Sequence, residues 1–141
     1  MDKVYKSLFA QFVGSANTLR IYKNSKLIFS SDKDRLLALI EYLDKFGSRH
    51  RNVVIFDKIL GRAAALLCIK AHCQEVWSPL GSQPAIDALE KLGVKYHFNR
   101  TIPCIQTPEG NMCPMERLSL GKEPDEFYRL MKSSIADTSK N

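Results

Sequence analysis

The feature that most constrains the fold is the continuous apolar run Val-Val-Ile-Phe at residues 53–56. The run is too short for a helix of its own and consists of β-branched and aromatic residues, so it predicts a central strand that is covered on both faces. Asp57 marks its end, and a helical pattern begins at Gly61. A buried strand that leads directly into a helix is typical of α/β proteins, which is the class predicted for this chain.

Apolar spacing predicts the remaining elements. In chain order these are a helix at 4–13, a hairpin of strands at 18–23 and 26–30, a helix after Ser31 or Asp32, a helix at 61–72, a strand at 75–78, a helix at 83–92, a strand at 94–98, and closing helices at 114–118 and 124–131. Ser31 or Asp32 is predicted to cap the second helix, whose buried stripe would be Leu36, Leu37, Ile40 and Leu43. Alternation of strands and helices after a hairpin implies a three-layer α/β/α sandwich with a mixed sheet of about five strands.

The length of 141 residues allows one core without disulfides or a structural metal. We expect a single domain over residues 1–133 and a flexible tail over residues 134–141. No apolar stretch reaches the roughly 20 residues that a membrane span needs, and the N-terminus lacks a signal-peptide pattern. The four cysteines form no CxxC pair, which favours a reducing compartment. We therefore expect a soluble cytoplasmic protein without membrane partners.

The first candidate site is the segment at residues 57–65, which leaves the predicted buried strand and opens a helix. Ligands bind at this end of the strands in open α/β sheets. Gly61 permits a tight turn, and the helix start offers free N–H donors with a partial positive charge. Lys58 and Arg62 would reinforce binding of a phosphate or carboxylate, and Ser82 could contribute a hydroxyl. The alternative is a purely structural turn, with Ser82 as a helix cap.

The second candidate site is the Cys-Pro-Met-Glu segment at residues 113–116. Pro114 fits the first helical position, and Glu116 can reach back to the cap of the same helix. Cys113 would then lie at a helix start, where the dipole favours the thiolate, so it is the best nucleophile candidate in the chain. Asp57, Lys58 or Glu116 could serve as its acid or base partner if folding brings them together. The alternative for Cys113 is packing or capping.

Several segments carry a resemblance that covers nearly the whole chain: the hairpin around residues 24–25, residues 57–58 with 61–67, Ser82 with Ala85 and Leu89, and most specifically Met-Cys-Pro-Met-Glu at 112–116. On these segments the chain resembles the domain-of-unknown-function family 1893, small proteins with a cytidine deaminase-like fold. It departs from the family pattern at Arg62, where lysine is usual, and at residues 106–107, where an Asn-Arg pair commonly precedes the Cys-Pro-Met-Glu segment.

The resemblance implies a deaminase-like fold without the metal chemistry of working deaminases. Those enzymes hold zinc through a His or Cys followed two residues later by Glu, plus a PCxxC at the next helix start, and so form a hydroxide nucleophile. Neither motif occurs in this sequence. By order of elements, the helix starts near residues 31–34 and at Gly61 would occupy the two zinc positions. We therefore predict no metal site. The glycine spacings of the Walker and dinucleotide-binding motifs are also absent, so we predict no cofactor.

Three hypotheses follow for the function. The first is a zinc-less deaminase-like domain that binds a small anionic or nucleotide-like ligand at the helix start formed by Lys58, Gly61 and Arg62. The second is an enzyme that depends on Cys113. The third is a basic adaptor that contacts nucleic acid or protein through residues 45–51. The net charge of +6 would attract anionic partners, but no aromatic side chains interleave the basic stretch, so nucleic acid is the less favoured partner.

Overall fold

A computed structural model describes the backbone of residues 2–34, 36–47 and 49–140, and the side chains of residues 3–34, 36–47 and 49–134. The helices are α1 (Asp2–Val13), α2 (Leu37–Phe46), α3 (Arg62–Lys70), α4 (Gln83–Lys91), α5 (Pro114–Ser119) and α6 (Pro124–Lys140). The strands are β1 (Leu19–Lys23), β2 (Lys26–Ser31), β3 (Val53–Asp57), β4 (Ile59–Leu60), β5 (Cys73–Ser82) and β6 (Lys95–Ile102). Among these described helices, none is long and apolar enough to cross a membrane.

The six strands form a single mixed sheet. β1 pairs antiparallel with both β2 and β3, whereas β3, β4 and β6 all pair parallel with β5. Because β5 is long, β3 pairs with its first half and β4 with its second half, on the same flank. The short β4 therefore continues the course of β3 beyond Lys58. The predicted mixed α/β sheet is confirmed, and the carboxyl ends of β3 and β4 meet the start of α3.

Apolar side chains cover the two faces of the sheet unequally. One face carries the larger core, in which Leu19, Ile21, Val53, Ile55 and Val76 pack against α2, α3, α4 and α6. The other face carries an aromatic cluster of Tyr22, Val54, Phe56 and Trp77 under Tyr5, Phe9 and Phe12 of α1. Alternate residues of β1 and β3 point to opposite cores, as the side-chain period of a strand requires. The predicted helix, sheet and helix layers are confirmed, and α1 alone supplies the thinner layer.

The predicted start of the second helix is wrong. Helix α2 begins at Leu37, and its N-terminal cap is Leu36 without a side-chain hydrogen bond. Ser31 instead belongs to β2, where its carbonyl accepts the Thr18 N–H at 2.9 Å, so it is held in the sheet and cannot cap a helix. Leu37 is 48% exposed, and the predicted apolar stripe therefore lacks this member.

Other differences lie at the ends of elements. β5 and β6 extend beyond the predicted strands at 75–78 and 94–98, because continuous pairing between them carries both as far as Ser82 and Ile102. β4 has only two residues, too few for periodicity to reveal. The predicted tail at 134–141 is helical as far as Lys140, with Asn141 outside the described residues, and its flexibility stays a prediction.

Candidate functional site

A cavity of about 380 Å³ opens at the carboxyl end of β3. It is lined by Thr18 before β1, the approach to α2 with Asp34 and Leu36, the segment from Asp57 to the start of α3, residues 105–108, and the start of α5 at residues 113–116. The volume falls in the range of about 300–1,000 Å³ that is usual for small-molecule sites. Both segments singled out as candidate sites in the sequence therefore border the same hollow.

Asp57 supplies a buried carboxyl group to this cavity. It is the last residue of β3, lies opposite Leu19 of β1, and is only 8% exposed. Burial raises the pKa of Asp57 to about 7, although backbone hydrogen bonds from Ile59 and Lys58 oppose the rise. A carboxyl group of this kind exchanges its proton near neutral pH, as catalytic acids and bases do.

Glu116 joins three segments around the cavity and is 1% exposed. Its Oε1 accepts the backbone N–H of Arg62 at 2.5 Å, and its Oε2 accepts that of Ile105 at 2.6 Å. The Ser82 hydroxyl donates to Oε1 at 3.4 Å. Glu116 therefore caps α3, whereas the sequence predicts that it caps its own helix. That prediction is wrong, since the Cys113 N–H donates to the Ile105 carbonyl at 2.7 Å.

Gly61 is required by this arrangement. A Cβ at this position would lie 2.8 Å from Ile105 Cγ1 and 2.9 Å from Glu116 Oε1. Both distances are shorter than normal van der Waals contact, so a side chain would push residue 105 and the Glu116 carboxylate away from α3. Gly61 thus allows Ile105 and Glu116 to approach the start of α3 closely. The next backbone N–H, that of Arg62, donates to the Glu116 carboxylate.

The side chains predicted to bind an external anion are engaged elsewhere. Lys58 Nζ donates to the Ser15 carbonyl at 2.6 Å and lies 4.9 Å from the centre of the Phe12 ring. Arg62 donates from Nε to the Ser119 carbonyl at 3.0 Å and from Nη2 to the Lys122 carbonyl at 3.1 Å. A ligand role for Lys58 or Arg62 stays a prediction, and it would require these hydrogen bonds to break.

Ser82 has the position that the sequence predicts for a helix cap. Its Oγ accepts the Ala85 N–H at 3.2 Å at the start of α4, in addition to its contact with Glu116. Its side chain is buried and does not line the cavity. Ser82 therefore contributes to the site only indirectly, through its hydrogen bond to Glu116.

A short hairpin at residues 105–113 forms one side of the cavity. A bridge joins Gln106 to Met112, and the Thr107 N–H donates to the Asn111 carbonyl at 2.7 Å. The Thr107 Oγ1 is buried without a hydrogen-bond partner in the described part of the chain. The sequence analysis missed this hairpin, although Thr-Pro-Glu-Gly-Asn at 107–111 is a turn composition and Gly110 has a φ of 88°.

Two further candidates lie in different surroundings. Cys113 is half-buried at the N-terminal cap of α5 and lines the cavity, so it shares the cavity with Asp57 and Glu116. The described part of the basic stretch, residues 45–47 and 49–51, precedes β3 and so lies at the strand end opposite Asp57. Across the described residues, no three His, Cys, Asp or Glu side chains come together in a way that could hold a metal ion.

Comparisons with known proteins agree on the fold. A family model described as a domain of unknown function (DUF1893) matches residues 9–135. A crystal structure of a DUF1893 family protein from Thermotoga maritima is 25% identical, with a TM-score of 0.84, and the alignment covers 95% of this chain and 91% of that chain. No curated protein matches the chain.

Proposed function

The chain belongs to the DUF1893 family, whose description assigns no activity, and we therefore propose from its own geometry that the cavity binds a small organic ligand, about as large as a nucleoside, through Asp57. The observation that carries this proposal is a carboxyl group only 8% exposed that nevertheless lines an open cavity. Burying a carboxyl group is costly unless something compensates for it, so such a group at a cavity wall indicates a functional role.

The ligand position follows from which backbone and side-chain groups around the cavity are already hydrogen-bonded within the chain. Glu116 fills the N-terminus of α3, where the sequence places an anionic ligand. The space that remains is the cavity in front of Asp57, between the approach to α2 and the hairpin at 105–113. The resemblance to deaminases supports the same place, since the two helix starts that would occupy their zinc positions border this cavity at Leu36 and Gly61.

Asp57 would contribute hydrogen bonding and proton transfer. With a pKa of about 7, the side chain donates a hydrogen bond as a neutral acid below that pH and accepts one as a carboxylate above it. Thr107 Oγ1, which is buried without a partner among the described residues, would provide a second polar contact. A few polar groups among apolar lining residues are the arrangement that orients small ligands.

The proposal is tested with a panel of uncharged nucleosides and free bases, screened by thermal shift and followed by NMR titration. Binding to the folded state raises the melting temperature and shifts the backbone amides of Ile59 and Ile105. We expect Asp57→Asn to weaken binding of any hit by roughly 10- to 100-fold, because a hydrogen bond to a charged group contributes about 1.5–3 kcal/mol. Asp32→Asn is the matched control, because Asp32 is exposed and does not line the cavity. Equal affinities in the two variants would show that the ligand does not use Asp57.

A second candidate function is chemistry that depends on Cys113. The specific support is that Cys113 and Asp57 line the same cavity, so a sulfur nucleophile and a proton donor border one ligand position. The other thiols lie apart from this cavity, and two of them are unsuited to reaction. Burial raises the pKa of Cys73 to about 12 and that of Cys68 well above its usual value. Cys104 is half-buried like Cys113 and provides the comparison.

Alkylation by iodoacetamide at neutral pH distinguishes a reactive Cys113 from a structural one. If Cys113 is a nucleophile, we expect it to be modified at least about tenfold faster than Cys104, because the thiolate is the reacting form. A ligand bound in the cavity should protect Cys113 and leave Cys104 unchanged. Rates are measured by mass spectrometry on the wild type, Cys104→Ser and Cys113→Ser. Faster modification of Cys104 would assign Cys113 a structural role.

A further inference from the structure

We propose that the cavity selects an organic cation, namely a primary amine, amidine or guanidine carried on an apolar body, which pairs with Asp57. This inference rests on the proposed function and adds the sign of the ligand's charge. It reverses the anionic ligand that the sequence predicts: Lys58 lines the cavity, but its ammonium group is engaged by the Ser15 carbonyl, whereas the Asp57 carboxyl group is buried in the cavity wall.

The positive groups near the cavity are already bound. Lys58 Nζ is held by the Ser15 carbonyl and lies against the Phe12 ring, on the side of the sheet that α1 covers. The Arg62 guanidinium caps the carbonyls of Ser119 and Lys122. The first backbone donor of α3 binds Glu116. An anion in the cavity would therefore find no free cation among these groups to offset the loss of its hydration.

Three carboxyl groups also border the cavity. Asp57 is buried in the cavity wall, and the exposed Asp34 lies at the approach to α2. The Glu116 carboxylate is bonded to the N-terminus of α3. A phosphate or carboxylate would be repelled by these groups, whereas a cation would be attracted to Asp57. Among the described residues, the titratable groups around Asp57 are Cys68 on α3 and four that line the cavity with it: Asp34, Lys58, Cys113 and Glu116. Cys68 stays neutral because burial raises its pKa well above the usual range.

The rest of the lining fits an apolar ligand body. Leu36, Ile59, Ile105 and Met115 border the cavity together with the small side chains of Ala63 and Ala64. Ile59 is 53% exposed even though it follows the buried β3, so it presents an uncovered apolar surface at the rim. A planar or aliphatic body would cover this surface, and removing apolar area from water favours binding.

The test uses three probes of nearly equal shape and different charge: benzamidine, benzyl alcohol and benzoate. In NMR titrations of the wild type, we expect benzamidine to bind at least about tenfold more tightly than benzyl alcohol, and benzoate not to bind. Benzamidine affinity should rise between about pH 6 and pH 8, because the amidinium stays protonated while Asp57, with a pKa of about 7, becomes ionised. In Asp57→Asn both the preference and its pH dependence should disappear, whereas Asp32→Asn should retain them.

Each contrary result has a distinct meaning. Tighter binding of benzyl alcohol or benzoate would overturn the cation preference and leave the proposed ligand cavity in place. Binding of benzamidine that survives Asp57→Asn would overturn it as well, since the cation would then sit elsewhere. If none of the three probes shifts the amides around Asp57, the inference is also wrong, and the proposed function is then judged by the uncharged nucleosides and bases alone.

Discussion

Glu116→Ala is expected to lower the free energy of unfolding by roughly 3–5 kcal/mol, because it leaves two partly buried backbone donors unsatisfied at about 1–3 kcal/mol each and removes a buried side chain. The donors are the N–H groups of Arg62 and Ile105, and the Ser82 hydroxyl loses a partner as well. No other carboxylate with described contacts bonds to both α3 and the hairpin at 105–113. The effect is measured as the denaturation midpoint in urea, with an unchanged slope.

Two comparison variants separate the hydrogen bonds from the charge. Glu116→Gln keeps one carbonyl oxygen but turns an amide N–H₂ toward the second donor, so we expect about half the loss that alanine causes. Glu109→Ala removes an exposed carboxylate from the same hairpin region and should change stability by less than about 0.5 kcal/mol. A loss of under about 1 kcal/mol in Glu116→Ala would show that the hairpin and α3 are held together without this carboxylate.

The sequence predicts the layers of this fold well because periodicity is a local signal. The apolar run at 53–56, the hairpin at 18–30 and the helices at 62–70 and 83–91 all arise from side chains that alternate or recur within a few residues. Even the neighbourhood of the candidate site can be predicted, since the carboxyl ends of parallel strands face the helix starts. That rule predicts a site in the segment around Asp57, whereas the Cys113 segment is predicted from its proline and from the helix dipole.

The partners of the site residues could not be predicted in the same way. Glu116 bonds to Arg62, 54 residues earlier, and Arg62 in turn reaches the carbonyl of Ser119. A capping pattern in the sequence shows only that a carboxylate could bond to the N–H groups of a helix start. It predicts the start of the carboxylate's own helix, because that one is nearest in sequence. Which helix start the carboxylate reaches depends on how α5 packs beside α3. The sequence predicts Lys58 as an anion ligand for the same reason, because no local pattern indicates that its ammonium group reaches the Ser15 carbonyl.

Asp57→Asn is expected to stabilise the protein, and the gain should grow with pH. The pKa of Asp57 is about 7 in the folded chain against an ordinary value of 3.8, because burial disfavours the carboxylate. Between these pH values Asp57 is ionised in the unfolded chain but keeps its proton in the folded chain. The free energy of unfolding of the wild type therefore falls as pH rises, and the loss is complete above the folded pKa. A difference of about three pH units corresponds to about 4 kcal/mol.

This effect is isolated by subtracting the two pH profiles. Asp44 and Asp125 contribute with the opposite sign in both proteins, since each has a lowered pKa. For Asp44, hydrogen bonds from Lys132 and Tyr128 outweigh partial burial, and for Asp125 the partner is Lys70. We therefore measure the free energy of unfolding of wild type and Asp57→Asn from about pH 4 to pH 8, with Asp32→Asn as the exposed control.

The outcome bears directly on function. A gain that widens by several kcal/mol across this range would mean that the chain carries a destabilising carboxyl group at its cavity, which is the cost that binding and catalytic groups impose on a fold. A constant difference, or a variant that weakens as pH rises, would mean that Asp57 is stabilised as a carboxylate by its own surroundings. The proton exchange near neutral pH that we propose for Asp57, and the pH dependence expected for benzamidine, would then be wrong.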